Sequence, residues 1–527
     1  MYRRSNPDQL EFIDFYLPFS GRLNADNRWV QLSKIVPWEL AEDIYHAGRR
    51  SDFGAPIVPA RVALGALIIK ERLGLTDRET VETIRENPYL QYFIGLEEFT
   101  EKRPFDPSLM VEFRKRFGVD GMQQISQAIA IASVERQDNS DDEPAASTEN
   151  SDAPENDNEP PGSASCGSAN DGASPTDESQ DSQPTTDVPP GSTLNQGRLI
   201  SDATCAPADI RYPTDISLLN EAREKTELII DRLHRPRIGK FKRPRTYRQK
   251  ARLRFLSFTK RKKPSGKQVR AARRQQLGYL GRNLRVISRL LGEPDSLSLQ
   301  CLGKRLYQAL FVSHEVYRQQ MEMHQSHSVR VDDRIISISQ PHVRPIKRGK
   351  AGRDTEFGAK LTLSLVNGFS FVDRLSWDSY NEGQDLVGQI ESYRQRWGCY
   401  PESVHVDKIY RTRENRAYCK ARNIRMSGPP LGRPRHNVSA VEKKQARQDE
   451  LIRNAVEGKF GQTKRRFSLG RVMTRLASTS LAQISLTFLV ANLEQAWRMF
   501  FLLWNWCCIS LHRQTVTTNG RTNSNLA

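Results

Sequence analysis

Nowhere in the 527 residues do 18 apolar side chains follow one another, so no segment reads as a membrane-spanning helix. The most apolar stretch, Ile484–Leu511, is interrupted by Glu494 and Arg498 and reads as a buried helix. The seven cysteines form no Cys-x-x-Cys pair and are irregularly spaced. That argues against a disulfide framework or a structural zinc site, and for a reducing, cytoplasmic setting. His324 and His327 have the spacing of a ligand pair, but no cysteine or acid pair nearby completes a zinc set. A surface role is the simpler reading. The first residues, Met-Tyr-Arg-Arg-Ser-Asn, lack the apolar core of a signal peptide. No glycine-rich loop of the GxxxxGK[ST] kind is present to cradle a nucleoside triphosphate.

Two further absences are local. Between Gln137 and Gly197 there is no Lys or Arg, against 14 Asp or Glu. Between Arg232 and Arg274 there is no Asp or Glu, against 19 Lys or Arg. The net charge is +18, and setting the 14 acids of the first segment aside leaves +32 on the remainder. Positive charge segregated in this way favours a polyanionic partner, because Lys and Arg neutralise phosphates and release counterions. Tyr247, Phe255 and Phe258 interrupt the basic run and Tyr279 follows it, a mixture suited to tracking a nucleic-acid backbone. The acidic segment is rich in Ser, Asn, Pro and Gly. It cannot bury enough apolar surface to offset its ordering entropy, and reads as a disordered linker over 136–197.

Helical periods dominate the first 135 residues. Val62–Leu73 is an apolar helix behind Pro59; Thr76 or Asp77, with Glu79, has the spacing of a capping box. Pro107–Phe117 places Leu109, Met110, Phe113 and Phe117 on one face and Arg114, Lys115 and Arg116 on the other. Short helices of this kind suit a helix-turn-helix DNA binder and equally a small bundle. Beyond the linker, Gly197–Thr204 reads as a short strand ending in Asp202, and Leu218–Leu233 as a helix. Strands are expected at Arg334–Ile338, Lys360–Val366 and Phe369–Leu375, the last two joined by an Asn367-Gly368 hairpin turn. A helix over Asn381–Trp397, a strand Ser403–Asp407, a helix Arg413–Ala421 and a long helix Val441–Lys464 follow. The loop 427–435 is too rich in Gly and Pro for regular structure.

Three acids stand out by position. Asp202 and Asp407 each close a short apolar strand, and Glu457 lies on the long helix. Strand ends of a mixed sheet bring carboxylates to one edge, where α/β sites usually lie. Hard cations such as Mg2+ take a few carboxylates and keep several waters. Two of them, about 3.5–4 Å apart, activate the attacking oxygen and stabilise the leaving one in phosphoryl displacement. Arg453, Glu457 and Lys464 share roughly one helix face. That pattern fits a site for metal and phosphate, and it also fits an ordinary salt-bridged face. His405 points to the same strand face as Asp407, where strand packing is the simpler role. Trp377 could stack on an unpaired base, but core packing is simpler.

Together these pieces resemble bacterial insertion-sequence transposases of the DDE type, closest to the group called insertion sequence family five. Asn6-Pro7-Asp8-Gln9-Leu10 through Pro107–Phe117 resembles that group's helical N-terminal domain. Asp202-Ala203-Thr204 resembles the first-acid motif, and Asp407-Lys408-Ile409-Tyr410 with Arg413-Glu414-Asn415 the second. Arg453, Glu457 and Lys464 fit the Arg-x3-Glu-x6-Lys part of the third, while Glu450 replaces the Tyr that neighbouring groups carry and is assigned no catalytic role. The stretches 344–350, Glu356–Lys360 and Trp377–Glu382 also look familial.

The resemblance implies an α/β, RNase H-like catalytic domain with an all-α N-terminal DNA-binding domain. The expected organisation is a helical domain at 1–135, the linker, a catalytic domain at 198–500 with a basic helical insertion at about 232–325, and a tail at 501–527. Asp202, Asp407 and Glu457 would hold two Mg2+ or Mn2+ ions. Arg453, Lys464 and Lys408, with Arg243, Arg248 and Lys262 of the basic run, would contact DNA. The implied reaction is cleavage at element ends followed by strand transfer into double-stranded target DNA, by a homodimer or larger assembly. A DNA-binding relative without catalysis and a metal-dependent nuclease without strand transfer are the competing readings.

Overall fold

In a computed structural model of the chain, residues 15–17, 21–47, 57–141, 194–292, 299–347, 355–428 and 439–522 are described, the side chains of 138–141 and 502–522 excepted. Most of the expected acidic linker, the loop from residue 429 and the end of the tail lie outside them.

Among the described residues, six helices lie before residue 142: α1 (Arg28–Ser33), α2 (Trp38–His46), α3 (Ala60–Leu73), α4 (Asp77–Glu86), α5 (Pro88–Phe93) and α6 (Leu109–Asp141). The capping box is present at α4: the Thr76 hydroxyl accepts from the Glu79 N–H, and the Glu79 carboxylate from the Thr76 N–H at 2.8 Å. Helix α6 is longer than its first eleven residues suggest and bends at Gly118, where φ is +62°. Arg114 does not face solvent with Lys115 and Arg116. It is buried, donating to Gln483 at 3.1 Å and pairing with Asp77. Tertiary contact overrides the amphipathic pattern there because a partner carboxylate and amide satisfy the charge.

The rest of the chain builds a mixed sheet. Strand β1 (Arg198–Pro207) is followed by the helices α7 (Asp215–His234), α8 (Arg248–Thr259), α9 (Gly266–Leu291) and α10 (Gly303–Gln325). Then come β2 (Arg344–Lys347), β3 (Thr355–Val366), β4 (Phe369–Ser376), α11 (Leu386–Trp397), β5 (Ser403–Val406), α12 (Arg413–Lys420), β6 (Arg425–Met426), α13 (Ala440–Arg466) and α14 (Ala477–Thr522). The sheet order is β2-β3-β1-β5-β6, with β4 also on β3. Strands β1, β5 and β6 are parallel, and β3 runs against β1, β2 and β4. The Asn367-Gly368 hairpin is present, with φ of +49° and +81°, the pair of left-handed residues that such a turn requires. Among the described residues, no helix is long and apolar enough to cross a membrane.

Two expectations for strands change. Arg334–Ile338 does not join the sheet. Its Ile335 N–H donates to the Gln319 side chain, and Ile335 and Ile338 fill the core of α7, α9 and α10. Ile335 and Ile338 are buried by helices instead, and Ile336 packs with Ala208 and Val343. Strand β1 runs past Asp202 to Pro207, because antiparallel pairing with β3 continues after parallel pairing with β5 has stopped at Ser201 opposite Val406.

The continuation of β1 depends on Gly358 opposite Pro207. A Cβ there would lie 2.0 Å from the Ala206 carbonyl oxygen and 2.8 Å from Pro207 Cα. Both obstacles are backbone, so a side chain cannot be absorbed by a rotamer change. Gly358→Ala is expected to cost about 1–3 kcal/mol or more. An unchanged urea midpoint would contradict this.

The sheet is covered on both faces. Leu199, Val404 and Val406 share a core with α11 and, through α14, with the N-terminal helices. Ile200, Leu361, Leu363 and Leu365 pack beneath α13 and α14 through Val456, Phe460, Ile484 and Phe488.

Candidate active site

The site follows from the alternation of β1. Ile200, Asp202 and Thr204 point to one face, the face covered by α13. Their antiparallel partners on β3 are Leu365, Leu363 and Leu361. Asp202 thus occupies an otherwise apolar row. Burial pushes its carboxyl up to about 6; Glu382 and Asp407 add to the rise, while the Ala203 N–H, at 2.8 Å, and Arg453 oppose it.

Strand β5 carries the second acid. The last parallel pair is Ser201 with Val406, so Asp202 and Asp407 stand side by side one residue further on. Asp407 is exposed and accepts from the Lys408 N–H at 2.6 Å. His405 lies opposite Ile200 and is fully buried; it faces Asp449 of α13 at 3.7 Å and Ser403 at 3.1 Å. Burial holds its pKa below the usual histidine range. It packs the strand against the helix.

Helix α13 lies across these two strands because Asp449, Arg453, Val456, Phe460 and Lys464 recur at helical spacing. Asp449 is clamped by Arg425 of β6 at 2.8 and 3.0 Å. Lys464 donates to the Thr204 hydroxyl at 2.9 Å. Arg453 donates to Glu450 at 2.7 Å and to Glu457 at 3.3 Å, and its charge reaches Asp202 and Asp407. The hydrogen bond to Glu450 is the largest reason why its guanidinium is held above its ordinary pKa. The Glu457 side chain is 59% exposed and turned towards Arg453. Among the described residues, no three His, Cys, Asp or Glu side chains stand close enough to share a metal ion.

The donor chemistry nevertheless suits a hard cation. A buried carboxyl beside two other carboxylates, with Arg453 as its opposing charge, is one whose charged form a divalent ion would favour. The structure brings Asp202, Asp407, Arg453 and Lys464 to the middle of β1, just past the point where its parallel pairing with β5 stops. It leaves the Glu457 carboxylate at the rim.

Two neighbours were given no role in the sequence. Glu382 adds negative charge beside Asp202 and pairs with Lys360 of β3. Tyr410 is fully buried, and its phenol is pushed well above its ordinary pKa by burial, then by Glu382. Glu382 closes the Trp377–Glu382 stretch noted above and begins a 3-10 turn (Glu382–Gln384), whereas the helix expected over Asn381–Trp397 starts only at Leu386. Trp377 packs into the core, edge-on to the His342 ring at 4.4 Å.

The basic residues divide. Arg243 and Arg248 both grip Asp231, at 2.5 and 2.9 Å, so their donors are engaged within the helical bundle. Lys262 and Lys408 are exposed.

Residues 404–494 match the family described as "Transposase DDE domain", and residues 18–116 the family described as "Transposase domain (DUF772)". Asp407, Arg453, Glu457 and Lys464 fall within the first match; Asp202 falls outside both. "Uncharacterized protein ORF8 in nfe locus" of Rhizobium meliloti is 32% identical over 113 residues, 21% of this chain and 54% of that protein. The chain therefore spans about half the length of this curated relative. No solved structure matches. In two separate segments, then, the chain is similar to transposase families, and over 404–494 to a transposase DDE domain.

Proposed function

We propose that this chain is a DDE transposase in which Asp202, Asp407 and Glu457 hold two divalent cations, Mg2+ or Mn2+, within an RNase H-like domain. The observation that carries the reading is the side-by-side placement of Asp202 and Asp407 on parallel strands, under a helix bearing Arg453, Glu457 and Lys464. The RNase H-like assignment draws support from the strand order β4-β3-β1-β5-β6, in which β3 alone is antiparallel to the rest. The bound cations would activate the attacking oxygen and stabilise the leaving oxygen of a phosphodiester.

The chain's own groups do the positioning. Asp202 is held by its strand and by the Ala203 N–H, and Asp407 by the Lys408 N–H. Glu457, 59% exposed on α13, would complete the set on leaving Arg453. Arg453, which also holds Glu450, would bind the phosphate, with Lys464 and Lys408 alongside. Hydrolysis at an element end frees a 3′-hydroxyl, which attacks target DNA. Residues 1–135 would bind DNA, 198–500 would form the catalytic domain, and two ends cut together imply a homodimer or larger assembly on the duplex.

The outward Glu457 also fits a second reading, a DNA-binding protein without catalysis. Supercoiled plasmid carrying candidate ends, incubated with and without Mg2+, separates the two. Nicking only with Mg2+ supports the enzyme, and its absence supports the binder. Joined products then distinguish a transposase from a nuclease.

The proposal also predicts a pH profile. Asp202 must be ionised to hold a cation, and its carboxyl is raised from 3.8 to about 6. Cleavage at limiting Mg2+ should fall by roughly tenfold per pH unit below that value and level off above it. Without metal the sign for stability is opposite: the folded chain holds this proton more tightly than the unfolded one, so the group's contribution is lost as pH rises from about 4 to about 6. A cleavage rate flat between pH 5 and 7 would count against Asp202 as a ligand.

A further inference from the structure

Helices α8 and α9 enclose a groove of about 640 Å3 remote in sequence from the three acids. Lys250, Arg254, Arg274 and Arg282 line it, with Tyr247 and Tyr279, and no carboxylate does. Among the described residues none of these four cations has a carboxylate partner. The Arg282 guanidinium lies 4.6 Å from the Tyr247 ring centroid and 5.9 Å from that of Tyr279, and Arg254 donates to the Tyr279 hydroxyl at 3.0 Å. One wall is therefore a layered stack of flat groups.

Tyr247 itself is out of place as a local choice. It caps α8 with φ of +53° and ψ of +27°, makes no side-chain cap hydrogen bond, and is 46% exposed. A tyrosine in the left-handed region carries backbone strain, retained here where the ring faces the groove. Gly278 lines the groove and is exposed, and a Cβ built on it meets nothing within 4 Å. Helix propensity disfavours glycine in the middle of α9, so open space is what it supplies.

We infer that this groove binds single-stranded DNA, an unpaired base stacking on Tyr247 while Lys250, Arg254 and Arg274 hold the flanking phosphates. Uncompensated cations attract the backbone, and an exposed aromatic face adds stacking that a base-paired strand cannot use. The inference rests on the proposed function only for DNA as the partner, since strand cleavage and transfer expose unpaired ends.

The test uses the full chain and a fluorescein-labelled oligodeoxythymidylate without Mg2+, read by anisotropy. Tyr247→Ala should weaken binding by roughly tenfold to a hundredfold, the worth of one stacked base. Gly278→Glu, which places a carboxylate in the groove without crowding, should do at least as much, and Gly278→Ala should retain wild-type affinity. Circular dichroism confirms folding of each variant. Wild-type affinity in both Tyr247→Ala and Gly278→Glu overturns the inference. So does an equal loss for a duplex, which would mean that the groove reads backbone alone. Because no metal is present, failure of plasmid nicking with an intact Gly278→Glu effect removes catalysis but not the groove, and the reverse result removes only the groove.

Discussion

Asp202→Asn should abolish Mg2+-dependent strand cleavage, lowering the rate by about a thousandfold or more, equivalent to roughly 4 kcal/mol of transition-state stabilisation. The amide keeps the shape of the carboxylate but loses the charge that holds a cation. The same change should leave the metal-free protein as stable as the wild type or more so at pH 7.5. The wild-type carboxylate is ionised there in an apolar row opposite Leu363, next to Glu382 and Asp407, and the substitution removes that repulsion. Activity and stability are thus expected to move in opposite directions, as is common where a site is charged for function. Duplex binding should be unaffected, because Arg453 and Lys464 remain. Addition of Mg2+ should raise the thermal midpoint of the wild type and not of the variant. Residual cleavage at the wild-type rate would remove Asp202 from the site.

The second large effect concerns stability. Glu494 of α14 is 1% exposed and pairs with Arg72 of α3 at 2.9 Å and with Arg466 of α13 at 2.9 Å. Arg72 is itself 4% exposed, lies between the Trp29 and Trp497 rings, and is held below its ordinary pKa by burial. Glu494→Ala would leave this guanidinium buried without counter-charge, a loss of about 3–5 kcal/mol. At roughly 2–4 °C per kcal/mol, the thermal midpoint should fall by on the order of 10 °C. Pairing the change with Arg72→Met should recover part of the loss, since no charge is then stranded. A midpoint within a degree of wild type would show that Arg72 finds another partner. Glu71 nearby accepts from the Ser468 N–H and hydroxyl and from Gln483 and Thr487. The N-terminal helices and the sheet are therefore joined by buried charge as well as apolar contact, and loss of Glu494 should uncouple them.

Local signals carried much of this protein into view. The capping box at Thr76, the Asn367-Gly368 hairpin, the helical faces of α7 and α13 and the two strand acids were all legible in the sequence. Each rests on a short-range rule of backbone geometry or side-chain period. What failed did so where a long-range partner replaced the local preference. Arg334–Ile338 has the composition of a strand, yet it buries Ile335 and Ile338 in a helical core. Arg114 belongs by period to a charged surface, yet it is enclosed with Asp77 and Gln483.

The order of chemical groups along the chain, and with it the expectation of acids, cations and a phosphate partner, was determined by the sequence itself. Only the tertiary structure decided which of those groups meet. It set Asp202 beside Asp407, drew Glu382 and Tyr410 towards them, spent Arg243 and Arg248 on Asp231, and left an acid-free groove under Tyr247. The reason is physical: periodicity specifies which face a side chain occupies, whereas electrostatic neighbours come from residues tens or hundreds of positions away, and no local pattern encodes their distance.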